Sequence, residues 1–230
     1  MNSYQFFPQN TAIFQQFTLD NQSEEMNDMV IETSIPGNDN MSIQSNQEMI
    51  CSSPQIVNVV STFKLNGDVE LKEIAQKSWN VEYNPKKFSA LIMRIAEPKT
   101  TAKIFPKGKV VITGARNIEE SLIACRKVVK KIRKVGYSVK LVDFSVQNLV
   151  ASAKFPFEIS LMKLAKEHTE NTKYNPDRFP GLSFKLSDLN LKVNIFRNGN
   201  VVILGGKNEQ TINRAYEQLH DILIDYKYSE

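Results

Sequence analysis

The chain has 230 residues, 41% of them hydrophobic, enough for one or two domains with a real core. No apolar run reaches the length of a membrane-spanning helix, and no signal peptide is expected at the start. Residues 1–53 hold seven acids and no Lys or Arg, residues 54–143 hold 18 bases against 8 acids, and residues 144–230 hold 11 against 10, so an acidic tail precedes a basic body and a polyanion partner is suggested.

The tail, rich in Asn, Gln and Ser, has no sustained period and reads as disordered, with "QFFPQ" and "AIFQQF" as short candidate docking stretches. "QIVNVVSTFKL" (55–65) is rich in β-branched residues and predicts a strand. Helical spacing predicts a helix over 68–78, with Asp68 as its cap. Strands are expected at 88–95 and 100–105 around a turn at Glu97–Pro98, and a third at 109–114. A long helix at 117–135 has Asn117 as cap, Gly136 after its end, and a stripe of Ile118, Leu122, Cys125, Val129 and Ile132. Its remaining positions carry Arg126, Lys127, Lys130, Lys131, Arg133 and Lys134. The second half follows the same plan: one or two strands in 139–155, a helix at 158–168, strands at 179–186, 191–196 and 200–205, and a helix at 209–226. This order predicts an α+β fold, an antiparallel sheet with helices on one face. Cys51 and Cys125 lie far apart and the only histidines are His168 and His220, which argues against a disulfide framework or a His/Cys metal site and fits a reducing compartment.

The two halves are copies. "YNPKKF" at 83–88 returns as "YNPDRF" at 174–179, and "KVVITGAR" at 109–116 returns as "NVVILGGK" at 200–207, both displaced by 91 positions. Two copies are too few for a solenoid, so a duplicated domain with approximate two-fold symmetry is expected, its halves at 54–143 and 144–230.

The duplication also pairs aromatic residues. Phe88 and Phe105 lie at the open end of one expected hairpin, and Phe179 and Phe196 at that of its copy. A lone Phe in a strand is ordinarily core, but two such pairs beside Lys and Arg suit apolar wedges that part base steps in duplex DNA. Asn58 with Val60, Asn148 with Val150, and Val111 with Thr113 share strand faces by the period-two rule. Asn and Thr can bond the acceptors that A·T pairs show in the minor groove, and valines can press on its floor. Lys87, Arg94, Lys99, Lys109 and Lys185 are candidates for phosphate contact along the rim.

The run "YNPKKFSALIMRIAEPKTTAKIFPKGKVVITGAR" resembles the first repeat of the TATA-box-binding protein family, and the likeness extends over about 55–230. That family is itself the standard example of minor-groove wedges that kink DNA. The resemblance implies a saddle: a curved ten-stranded antiparallel sheet with four helices on its convex face. It implies that Phe88, Phe105, Phe179 and Phe196 are the intercalating rings, that Asn58, Asn148 and Thr113 bond bases, and that Val60, Val111, Val150 and Val202 touch the groove. It further implies a nuclear transcription initiation factor, without catalytic role or cofactor, that binds and bends promoter DNA and nucleates preinitiation-complex assembly. Implied partners are double-stranded promoter DNA, transcription factors IIA and IIB, polymerase-associated factors and negative cofactors. The basic helix matches the surface for transcription factor IIA or a repressor, and Asp177 and Arg178 match positions that meet transcription factor IIB.

The sequence departs from the family pattern mainly in its second half. Leu204 stands for a base-bonding Thr, Lys103 and Asn194 for groove-facing leucines, and Ser183 and Lys192 for apolar groove residues. Asp188-Leu189-Asn190 replaces Lys-Pro-Arg, while Asn175 and Arg178 replace Glu and Leu. A principal TATA-binding factor and a specialised relative with altered sequence preference are both compatible with this pattern. A protein-interaction module that has lost DNA binding is an alternative. A nuclease or glycosylase on a similar half-saddle would need a carboxylate or lysine cluster able to act on a phosphodiester or flipped base.

Overall fold

The computed structural model describes residues 53–228; the expected disordered tail, apart from Ser53, lies outside the described residues. The first half runs β1 (Gln55–Leu65), α1 (Leu71–Lys77), β2 (Val81–Glu82), β3 (Leu91–Ile95), β4 (Thr100–Ile104), β5 (Lys109–Ala115) and α2 (Ile118–Val135). The second repeats it as β6 (Leu141–Lys154), α3 (Leu161–Glu167), β7 (Thr172–Lys173), β8 (Leu182–Leu186), β9 (Leu191–Ile195), β10 (Asn200–Gly206) and α4 (Glu209–Leu223), ending in a 3-10 turn at Ile224–Tyr226.

The ten strands form one sheet in the order β2-β3-β4-β5-β1-β6-β10-β9-β8-β7. All neighbours are antiparallel. Read inward from either edge the order is the same, so the approximate two-fold axis passes between β1 and β6. The expected boundary between residues 143 and 144 falls inside β6.

Alternation along each strand divides the faces. Leu91, Met93 and Ile95 of β3, with Ala102 and Ile104 of β4 and Val110 and Ile112 of β5, are buried against Ala124, Cys125, Val128 and Ile132 of α2. Leu182, Phe184, Val193, Ile195, Val201 and Ile203 do the same against Ile212, Ala215 and Leu219 of α4. Each large side chain so buried contributes about 1.5–3 kcal/mol, which holds the helices to one face. The interleaved positions, among them Ile92, Arg94, Thr101, Lys103 and Thr113, face the other way and carry no helix.

Several local expectations are corrected. The cap of α1 is Glu70, two residues after Asp68: Val69 is buried, and Glu70 Oε1 accepts the Lys72 N–H at 3.2 Å. On α2 the buried face includes Ser121, Ala124 and Val128, while Ile118 and Leu122 are only half-buried. Cys125, Val129 and Ile132 of the expected stripe are buried on the same face. Asn117 caps this helix as expected, accepting the Glu120 N–H at 2.7 Å. The final helix stops at Leu223 and tightens into a 3-10 turn instead of continuing to 226.

Candidate nucleic-acid interface

The repeated hexapeptide builds the carrier of one ring in each pair. In "YNPKKF" the Asn84 carbonyl accepts the N–H groups of Lys87 (3.0 Å) and Phe88 (2.9 Å), closing a single tight turn. In "YNPDRF" the Asn175 carbonyl accepts those of Arg178 (3.2 Å) and Phe179 (3.0 Å). The expected strands at 88–95 and 179–186 therefore begin late, at Leu91 and Leu182, and neither Phe88 nor Phe179 is a strand residue.

The partner rings come from the turns between β4 and β5 and between β9 and β10. Phe105 donates its N–H to Lys109 O and accepts from the Gly108 N–H; Phe196 does the same with Asn200 and Gly199. Gly108 (φ +73°) and Gly199 (φ +83°) supply the left-handed residue these turns require. The strand register pairs Leu91 with Ile104 and Leu182 with Ile195. Extended straight, it would place Phe88 two residues past Phe105, so the ring pair depends on the hexapeptide turn.

The result is two edge-to-face aromatic pairs, with centroids 6.2 Å apart for Phe88–Phe105 and 5.7 Å for Phe179–Phe196. Neither pair is packed beneath the helices: Phe88 is 38% exposed and the other three rings are half-buried. The second pair closes over Gly181, where a Cβ would lie 2.7 Å from Phe179 Cε1 and 3.0 Å from Phe196 Cε1.

Between the pairs lies the bare face. At its centre Asn58 is opposite Val150 and Val60 opposite Asn148 in the β1–β6 ladder. Each Asn spans a bulge in the neighbouring strand: Asn58 Oδ1 accepts the Gly114 N–H at 2.9 Å, and Asn148 Oδ1 accepts the Gly205 N–H at 2.8 Å. Since the backbone donor occupies the oxygen, the orientation of each amide is fixed and its NH₂ end is left to donate outward. Val60 and Val150 lie on this face yet are 4% and 1% exposed, shaded by their neighbours. Val111, Thr113 and Val202 continue the face on β5 and β10, Val111 buried and the other two half-buried.

The rim bases Lys87, Arg94, Lys99, Lys109 and Lys185 are exposed. Arg94 makes an exposed ion pair with Glu82 at 3.5 Å, which adds little to stability. The α2 bases are exposed except Lys131, which is half-buried. Two have intramolecular duties: Lys127 Nζ donates to Glu97 O, and Arg133 Nε donates to Val139 O at 2.7 Å. Asp177 and Arg178 are exposed on the turn that carries Phe179. Not singled out in the sequence reading were Gly181 and the bulge glycines Gly114 (φ +98°) and Gly205 (φ +102°). The 91-residue displacement between the last two was the available signal.

The sequence model described as "Transcription factor TFIID (or TATA-binding protein, TBP)" matches residues 53–135 and 143–226. The chain belongs to the TATA-binding-protein family. It is 46% identical over 171 residues to TATA-box-binding protein 2 of Entamoeba histolytica, covering 74% of this chain and 81% of that protein. It is 43% identical over 174 residues to TATA-box-binding protein of Acetabularia peniculus, covering 76% and 91%. Among solved structures, Methanococcus jannaschii TBP aligns with a TM-score of 0.69 at 36% identity, covering 76% of this chain and 99% of that one. The fold is therefore the two-repeat saddle of TATA-binding proteins, and the chain is a transcription factor of that family.

Proposed function

We propose that this chain binds promoter DNA in the minor groove through its bare sheet face, bends it, and nucleates preinitiation-complex assembly in the nucleus without performing catalysis. The observation that carries the reading is the placement of the two aromatic pairs at equivalent ends of a helix-free face whose centre presents the outward amides of Asn58 and Asn148. A·T pairs show only acceptors in the minor groove, so paired donors flanked by valines complement them. The aromatic pairs act as wedges; in this family, the standard case, unstacking costs roughly a few kcal/mol per step and is offset by the contact a bent duplex allows. Phosphates meet Lys87, Arg94, Lys99, Lys109 and Lys185. The exposed bases of α2 receive transcription factor IIA or a negative cofactor, and the Asp177–Arg178 turn receives transcription factor IIB.

Phe88→Ala with Phe105→Ala tests the reading, because neither ring belongs to the helix-side core. Energy transfer between dyes on the duplex ends should report loss of the kink at that end, with the fold retained by circular dichroism. Unchanged bending would refute the wedge role, and a wild-type chain that binds no duplex would favour an interaction module instead.

A further inference from the structure

The face between the aromatic pairs is not chemically symmetric at its ends. Lys103 of β4 lies between Ile92 and Val111 in register, half-buried, with Nζ 5.7 Å from the Phe88 ring centroid. Its equivalent, 91 positions later, is Asn194 of β9, half-buried between Ser183 and Val202. Each stands two residues before the hairpin-turn Phe of its own half, on the same face, and so reads the base pair just inside that wedge. Five inter-strand spacings separate β4 from β9 in the sheet order. That is roughly 24 Å, comparable to about seven base-pair rises, so the two residues address opposite ends of one site.

Their chemistry differs in the property the minor groove exposes. A lysine ammonium has donors and no acceptor, while an amide has both and presents either by rotation. An A·T pair in either orientation shows only acceptors; a G·C pair adds the guanine N2 amino donor in the middle of the floor. Lys103, flanked in register by Ile92 and Val111, meets that amino group with a like donor. Asn194 can turn its oxygen to it, and the Ser183 hydroxyl beside it offers a second acceptor. Burial also pulls the Lys103 pKa below the ordinary lysine value, consistent with an ammonium held down against the sheet.

We propose that Lys103 and Asn194 give this protein a polar, two-ended sequence preference, requiring A·T at the pair inside the Phe88–Phe105 wedge and admitting G·C at the pair inside the Phe179–Phe196 wedge. The inference rests on the minor-groove reading above. It makes a G·C pair at one end of an A·T tract an orienting signal, since the site then fits the face in only one direction.

The full chain is titrated against three duplexes: an A·T tract, the same tract with G·C at one terminal pair, and with G·C at both. Wild type should bind the first two within about threefold and the third about tenfold more weakly, the scale of a mismatched groove contact. Lys103→Asn should restore binding to the third duplex, and Asn194→Lys should weaken binding to the second by about tenfold. Each variant must keep the wild-type circular-dichroism spectrum and thermal midpoint, which checks its fold. Equal affinity of wild type for all three duplexes, or a ranking unmoved by both substitutions, overturns the inference while bending of the A·T duplex leaves the minor-groove reading standing. Failure of wild type to bind any duplex overturns both.

Discussion

The Asn148 side-chain oxygen accepts the Gly205 backbone N–H at 2.8 Å, and the Asn58–Gly114 bond in the other half has the same geometry at 2.9 Å. Each amide thus performs a structural task with one end and leaves a functional group at the other. Aspartate separates the two tasks, because a carboxylate still accepts from Gly205 but brings no N–H. Asn148→Asp should keep its thermal midpoint within a few degrees and lose about 1–3 kcal/mol of binding to A·T-rich duplex for the missing donor, with a further loss from repulsion by phosphate. Calorimetric unfolding and a binding titration measure the two separately. A variant that unfolds early would show the donor end also holds the fold together.

The tighter closure of the second aromatic pair makes a graded prediction. Ala90 occupies the position equivalent to Gly181, and the pair beside it is wider, 6.2 Å against 5.7 Å. Gly181→Ala should therefore be accommodated by opening Phe179–Phe196 toward the first-half spacing, changing stability by less than about 1.5 kcal/mol. Gly181→Val should displace the rings and abolish the kink at that end. Dye-to-dye distances in the bound duplex distinguish these outcomes; equal bending by both variants would show that the ring spacing is irrelevant.

On the helix side, Ser61 of β1 and Ser121 of α2 share a hydrogen bond of 2.6 Å and are fully buried. One turn further along α2, burial pushes the Cys125 thiol up to about 11. The second half has Ala151 and Ile212 at the equivalent positions, so the fold does not require this polar contact. Ser61→Ala alone should cost about 1–3 kcal/mol by stranding the Ser121 hydroxyl, whereas Ser61→Ala with Ser121→Ala should cost less than the two single changes added together. Urea denaturation of the four proteins closes the cycle. Strict additivity would mean that the hydroxyls do not depend on one another.

Much of this was legible from one regularity, the 91-residue displacement. It located both aromatic pairs, and a displacement of 90 located the central Asn–Val pattern, because each is a local pattern written twice. What escaped depends on contacts between distant residues or on elements too short to show a period. The edge strands Val81–Glu82 and Thr172–Lys173 are two residues long, below any alternation signal. The Asn–bulge bonds join residues 56 and 57 positions apart. Phe88 read as the start of a strand since β-rich sequence follows it, yet the Asn84 carbonyl turns the chain there. Alternation assigns Val60 and Val150 to the bare face, but their near-complete burial cannot be read from alternation.

The halves share one strand ladder, β1 against β6, reaching from Gln55 to Leu65 and from Leu141 to Ser152. Severing the chain between them would turn each of these long, interior strands into a naked border with an unmated row of N–H and C=O groups. A separately expressed half would be a sticky fragment, prone to recruit a twin of itself or to aggregate. Gene duplication here did more than double a reading surface, since it made each copy the cover for the other's most dangerous margin.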